Sequence, residues 1–388
     1  MKEIRKLLVL LLIVNSVFAQ RSAIKLQSSH RGKIDKLILV YSQTAEIGSI
    51  SLVDILKALP DVEAIVINQF GPKSPEFGLL VSSLNRNKLG FNLQNQPRLQ
   101  FVQDARAYGP WPRDQVLVDT KGTLLVSASE QHQLRDTFLS LDQLNDIQVQ
   151  NSAMSFIGAQ FLVAGDKLIC PQNMSVDPAI QHSLVRVPTP PLNEFHLDLL
   201  VMPLTENRVA VGDVELTRNL LLRLNRTEQK KIIARWAVEF TSSAGNVNFN
   251  WNKNTFSYDK LNNPGLILWP MVREKLNMLR ELLKPGEFVK AVLSESAYGW
   301  DDRIAKTLQD NGFEVVRIPF WPGRYGRLSG KKQKGLPMLC YPNCLVWQDG
   351  ILMPSYGIKS IDQLAEEILT KASGKSVSPV KGSAILGY

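Results

Sequence analysis

Cysteine is scarce in this sequence: Cys170, Cys340 and Cys344 are the only three in 388 residues. So few thiols exclude a disulfide-stapled scaffold. In a straight strand Cys340 and Cys344 would lie roughly 13 Å apart, beyond the reach of a bridge, so only a bend at Tyr341-Pro342-Asn343 would let them pair. Histidine is almost as rare. His30, His132, His182 and His196 stand far from one another and from any cysteine pair, which leaves no zinc-type spacing and no metal to expect. Neither a GxGxxG nor a P-loop pattern occurs, so the usual phosphate-binding signatures are missing and no cofactor is implied. No apolar run reaches the roughly 18 residues of a bilayer-spanning helix.

Charge of neither sign dominates locally. Lys and Arg exceed Asp and Glu by 45 to 36, a formal charge of +9, but they are spread along the chain, and no nucleic-acid partner is expected. The one basic cluster, Arg324, Arg327, Lys331, Lys332 and Lys334 among glycines, reads as a solvated loop, with a lid or an acidic-partner site as the alternative. What is plentiful is apolar residue: 44% of the chain, enough for a large core. The N-terminus reads as an export signal, with basic Lys2, Arg5 and Lys6, an apolar Leu7 to Val14, and small residues at Val17 and Ala19. Cleavage after Ala19 would leave residues 20–388 as a single domain working in the periplasm or outside the cell, with no integral membrane segment.

Two short apolar strands around a tight polar turn recur along the chain. The pairs are Val116 to Asp119 with Leu124 to Ser127, Phe161 to Val163 with Lys167 to Cys170, Leu199 to Leu204 with Arg208 to Val211, and Leu345 to Trp347 with Ile351 to Met353. Four such hairpins suggest an internal structural repeat. Helical spacing marks Glu228 to Phe240, Val272 to Leu283, Ile304 to Leu308 and Ile361 to Leu369, with Asn311-Gly312 as a stop and Ser360 as an N-cap. Apolar runs at Leu37 to Tyr41, Ala64 to Ile67, Val289 to Leu293 and Val315 to Ile318 read as strands. The fold class is therefore α+β, built of sheet-and-helix units rather than a doubly wound sheet.

Three segments combine polar residues with strand ends. In Tyr108-Gly109-Pro110-Trp111-Pro112-Arg113-Asp114, a stiff aromatic loop delivers Arg113 and Asp114 into a strand; a structural ion pair with Trp111 as core filler fits equally. In Phe195-His196-Leu197-Asp198, period-two alternation places His196 and Asp198 on one strand face, for chemistry or as a satisfied histidine. In Cys340-Tyr341-Pro342-Asn343-Cys344, a turn with two buried thiols opens the fourth hairpin.

These segments, in this order, resemble the agmatine deiminase and bacterial peptidylarginine deiminase family of the guanidino-group-modifying (pentein) superfamily. Trp111-Pro112-Arg113-Asp114 is similar to its W-x-R-D signature, Phe156-Ile157-Gly158-Ala159-Gln160-Phe161 to F-x-G-G-N-F, and Phe195-His196-Leu197-Asp198 to H-x-D. Gly312-Phe313-Glu314-Val315 through Ile318-Pro319 is similar to G-[FY]-E-V...P, and Tyr341-Pro342-Asn343 through Pro354-Ser355-Tyr356-Gly357 to Y-x-N...V-P-x-Y-G. The resemblance covers roughly three quarters of the chain, from about Leu99 to the end. It implies a pentein-like α/β propeller of repeated ββαβ units around a pseudo-fivefold axis.

The resemblance also implies chemistry. A guanidinium is planar and permanently charged, so its forked donors call for carboxylates, here Asp114 and Asp198. His196 matches the histidine that moves protons while a cysteine thiolate attacks the guanidinium carbon. Asn343, Trp111 and Arg113 match substrate-side positions. The expected partner is an arginine-containing peptide or protein, or a small guanidino compound, and the product of hydrolysis is citrulline with ammonia. Two departures stand out. Ile157 takes the place of an orienting glutamate found in members acting on free small molecules, which favours peptidyl arginine. No G-G-G-x-x-H-C nucleophile loop occurs, although Val377 to Leu386 resembles its approach. A hydrolase and a non-catalytic guanidinium-binding protein are both compatible with such a chain.

Overall fold

The computed structural model describes residues 24–28, 30–41, 49–68, 71, 73–86, 99–104, 116–128, 136–138, 147–152, 155–189, 196–241, 245–250, 255–260, 269–294, 299–322 and 336–381. The expected export signal at residues 1–19, Trp111, Arg113, Asp114, the basic cluster at 324–335 and the segment after Lys381 lie outside the described residues.

The first sheet is parallel: β1 (Lys36–Tyr41), β2 (Glu63–Asn68) and β3 (Leu99–Gln103), with helices α1 (Ser49–Ala58) and α2 (Pro75–Arg86) in its crossovers. Five of the six residues of β2 are buried, as a strand covered on both faces requires. The next four sheets share another topology, an antiparallel hairpin whose second strand pairs in parallel with a later third strand. β4 (Val116–Val118) and β5 (Leu124–Val126) are completed by β6 (Val149–Asn151), and β7 (Leu162–Ala164) and β8 (Lys167–Pro171) by β9 (Ser183–Val187). β10 (Val201–Pro203) and β11 (Arg208–Asp213) are separated from their third strand by α3 (Val214–Leu222), α4 (Arg226–Thr241), the hairpin β12 (Gly245–Asn250) and β13 (Thr255–Lys260), and helices α5 (Trp269–Leu282), α6 (Glu287–Leu293) and α7 (Trp300–Asp310). That third strand, β14 (Glu314–Trp321), also pairs with β15 (Leu339–Cys340). Finally β16 (Leu345–Val346) and β17 (Gly350–Ser355) are followed by α8 (Lys359–Ser373) and the parallel strand β18 (Ser376–Lys381).

All four expected hairpins thus form. Their turn residues differ in what they solve. Gly165 adopts φ +62°, which side-chain-bearing residues rarely take. Gly350 has an ordinary φ, but the Trp347 indole lies where its Cβ would be.

Two expectations need correction. Val289 to Leu293 lies in α6: Phe288, Ala291 and Val292 are buried at helical spacing while Lys290 pairs outside with Glu287. A short apolar run carries no period of its own, so its neighbours decide. Ser360 does not cap α8. The cap position is Ile358, without a side-chain hydrogen bond, and Asp362 of the first turn reaches back to the strand before it. The expected stop at Asn311-Gly312 does hold, with Gly312 at φ +80°.

Buried clusters join the sheets in sequence. Ile65 and Ile67 of β2 pack with Leu124 and Val126 of β5, and Leu117 and Leu125 with Val163 and Leu168. The largest cluster joins Leu162 and Ile169 to β10, β11 and β14 and on to Ile351 and Met353. Leu352 and Val380 pack in turn with Leu59 and Val62, at the start of β2. Each sheet therefore shares core with the next, and the last with the first.

Candidate functional site

In an antiparallel hairpin the first strand starts at the end opposite the turn, so whatever precedes β4, β7, β10 and β16 sits at that starting end. The described segments there are 158–160, 196–199 and 341–344, which carry Gln160, His196, Asp198 and Asn343; Asp114 lies outside the described residues.

The segment before β10 is not the strand expected for Phe195 to Asp198. His196 is extended (φ −85°, ψ 111°) and starts a 3-10 turn over Leu197–Leu199, in which the Leu199 and Leu200 N–H groups donate to the His196 and Leu197 carbonyls at 3.3 and 3.0 Å. Leu197, Leu199 and Leu200 turn into the core and carry the tight bend, so His196 and Asp198 do not share a strand face. Asp198 is 7% exposed, and His196 is half-buried.

The 3-10 turn Gly158–Gln160 packs against the turn Leu197–Leu199. On the other side the Cys340 thiol donates to the Leu199 carbonyl at 3.0 Å, across 141 residues of sequence. The Asn343 N–H returns to the Cys340 carbonyl at 3.4 Å. A bend at Tyr341-Pro342-Asn343 thus exists, yet Cys340 and Cys344 remain free thiols, the latter donating to the Tyr341 carbonyl at 2.9 Å. Behind this bend the Cys340 N–H donates to Tyr356 Oη at 3.0 Å, and Tyr341 Oη donates to Asp362 at 2.7 Å. Asp362 also accepts from the Tyr356 N–H at 2.9 Å and from Ser355 Oγ at 3.1 Å, anchoring the bend to α8.

The structure therefore brings the turn that carries His196 and Asp198 into contact with the bend that carries Asn343. It adds Gln160, and it gives Cys340 a part that the sequence did not suggest. Gln160 is buried where the resembled family pattern has asparagine, which is the signal that pointed to it. Cys340 ties the histidine turn to the asparagine bend, and nothing in its sequence neighbourhood announces a partner at Leu199.

The thiols are poor nucleophiles. Burial first, and the nearby Asp198 charge after it, push the Cys340 thiol well above the ordinary range, against a lowering contribution from the Asn343 N–H. Burial alone pushes Cys344 far up, and burial raises Cys170 in spite of Arg186. A reactive cysteine needs the opposite setting. Among the described residues no three His, Cys, Asp or Glu side chains gather as a metal site, and no helix is long and apolar enough to cross a membrane.

The repeated hairpin-plus-parallel-strand units, with their polar segments gathered at one end, define a mixed α/β protein of pentein fold. Among solved structures, agmatine deiminase of C. jejuni shares 10% identity over 92% of this chain and 89% of its own, with a TM-score of 0.51. A substrate-bound variant of that enzyme gives 11%, 94% and 92%, with a TM-score of 0.53. The likeness is one of fold. No protein-family model matches the sequence, and no curated protein matches it.

Proposed function

We propose that this protein is an exported guanidino-group hydrolase of pentein type, acting on peptidyl arginine to give citrulline and ammonia. The observation that carries the reading is the meeting of the 196–199 turn with the 340–344 bend at one end of a fold shared with agmatine deiminase. In this reading the five sheets close as a five-bladed propeller, which the cyclic succession of buried clusters supports, and residues 20–388 form one domain released by cleavage after Ala19. Asp198 and Asp114 accept the forked guanidinium donors, with Asn343, Trp111 and Arg113 on the substrate side. His196 gives a proton to the departing ammonia and takes one from the incoming water; the reaction also needs a thiolate to hold the carbon between the two steps, a part that burial makes unsuited to Cys170, Cys340 and Cys344.

A second reading, guanidinium binding without turnover, is favoured by one observation: burial raises all three thiols of the chain, so none of them suits the nucleophile's part. Citrulline assay of purified protein with arginine peptides separates the two, and absence of product at high protein concentration sinks the hydrolase. Calorimetry with the same peptides tests the shared premise. Binding that survives Asp198→Ala unchanged would remove both readings.

A further inference from the structure

Residues 24–28 and 30–32 lie across the turns of all four repeated hairpins, at the end opposite the candidate site. Leu26 bridges Asp119 at the β4–β5 turn, where the Gln27 N–H donates to the Val118 carbonyl and the Thr120 N–H to the Lys25 carbonyl, both at 2.8 Å. Ile24 bridges Ile180, and the Leu26 N–H donates to His182 Nε2 at 2.9 Å, just before β9. Ser28 Oγ donates to the Gly165 carbonyl in the β7–β8 turn at 3.4 Å. Arg31 pairs with Glu206 of the β10–β11 turn, and the Gln348 N–H of the β16–β17 turn donates to the Gly32 carbonyl at 2.9 Å. Nine residues span at most roughly 30 Å, so one short strap draws four turns spread from Asp119 to Gln348 into a single track.

The strap's far end is locked by Lys375, from the connection between α8 and β18. Its ammonium donates to the carbonyls of His30 and Gln348, both at 3.0 Å, and to that of Trp347. Beside this lock His30 is 6% exposed, and among the described residues neither ring nitrogen has a hydrogen-bond partner. The charged groups around it are Arg31 on the strap and Lys375 on the facing connection; Glu206 is engaged with Arg31, and Asp349 of the β16–β17 turn acts on Lys375. A protonated imidazole there would meet two cations and no acceptor.

We propose that residues 24–32 are an acid-released latch, keyed by His30, that ties the last repeated unit to the three before it. Burial, then Lys375 and Arg31, hold the His30 pKa at about 4 against an ordinary 6.5. The closed latch thus keeps the ring neutral, while the open one binds a proton more readily. Closure is fully favoured above about pH 6.5 and weakens as the pH falls towards 4.

Hydrogen exchange of the full chain at pH 7 and pH 4.5, corrected for intrinsic rates, tests this. The amides of Leu26, Gln27, Thr120, Gln181 and Gln348 should be protected at pH 7 and lose protection at pH 4.5 by on the order of 50-fold more than those of β8 and β17. His30→Phe, which keeps the ring volume and cannot titrate, should abolish that selective loss. Latch amides already open at pH 7, or an equal loss in His30→Phe, overturn the proposal. If His30→Phe does not fold, NMR titration of His30 in the unaltered chain decides: a midpoint near 4 supports the latch, and one near 6.5 refutes it.

Discussion

The two ends of the repeated hairpins are held in different ways. At the turn end main-chain pairs such as Gln27 to Val118 and Gln348 to Gly32 fasten the strap, beside side-chain ties from Arg31 and Lys375. At the starting end the links run through side chains: the Cys340 thiol to Leu199, Tyr356 to Cys340, and Tyr341 to Asp362. Main-chain pairing tolerates exchange of side chains, whereas a thiol or phenol link fails when its one residue changes. The end that displays polar side chains for chemistry is thus also the end whose geometry depends on residue identity. The opposite end can vary in sequence where main-chain pairs fasten it, but not at Lys375 and His30, whose side chains lock and key the strap.

The contrast can be tested by substitution. The largest effect belongs to neither end, because both lean on β14. Arg317 bridges Asp213 and Asp301 at 3.1 Å and Asp302 at 2.9 Å, and Asp301 is 3% exposed. Burial already raises the Asp301 carboxyl. Arg317→Ala should therefore cost about 3–5 kcal/mol, read as a lower urea midpoint; an unchanged midpoint would mean that Asp301 needs no cation. At the starting end, Asp198→Ala should weaken arginine-peptide binding by about 2 kcal/mol or more in calorimetry. Cys340→Ala should lower stability by about 1 kcal/mol and weaken the same binding, while Cys340→Ser, which keeps a donor for Leu199, restores it. Equal binding by both Cys340 variants would show that the tie does not position the site. At the turn end, Gln27→Ala removes only an exposed bond to the Arg31 carbonyl. It should shift stability by less than about 0.5 kcal/mol and leave peptide binding unchanged.

Much of this architecture was legible because it is local. Gly165 between Val163 and Lys167, or Asp349-Gly350 between Val346 and Ile351, writes a hairpin within a few residues. Ile304, Ala305 and Leu308 write a helix in the same way. Val289 to Leu293 was misread because a short apolar run fits either state. His196 and Asp198 were misread as strand neighbours because leucines alternating with polar residues suit a 3-10 turn as well as a strand. Of the candidate site, the 196–199 and 340–344 segments, which the structure joins, were marked through a resemblance of order and type. The Cys340 tie and the latch were invisible because their partners are remote in sequence, 141 residues away for the tie and up to 345 for the latch.

That last separation bears on how the molecule folds. The bond from Lys375 to the His30 carbonyl closes a loop of 345 residues, for which chain entropy alone asks about 5 kcal/mol. Such a contact cannot nucleate anything, since the hairpins between its ends gain their pairs at far smaller entropic cost. The strap should dock last, after the fourth hairpin is made, and come away first when the chain unfolds. Until then the four turns it covers stand unpaired, and a chain caught at this stage would expose β-edge groups to its neighbours.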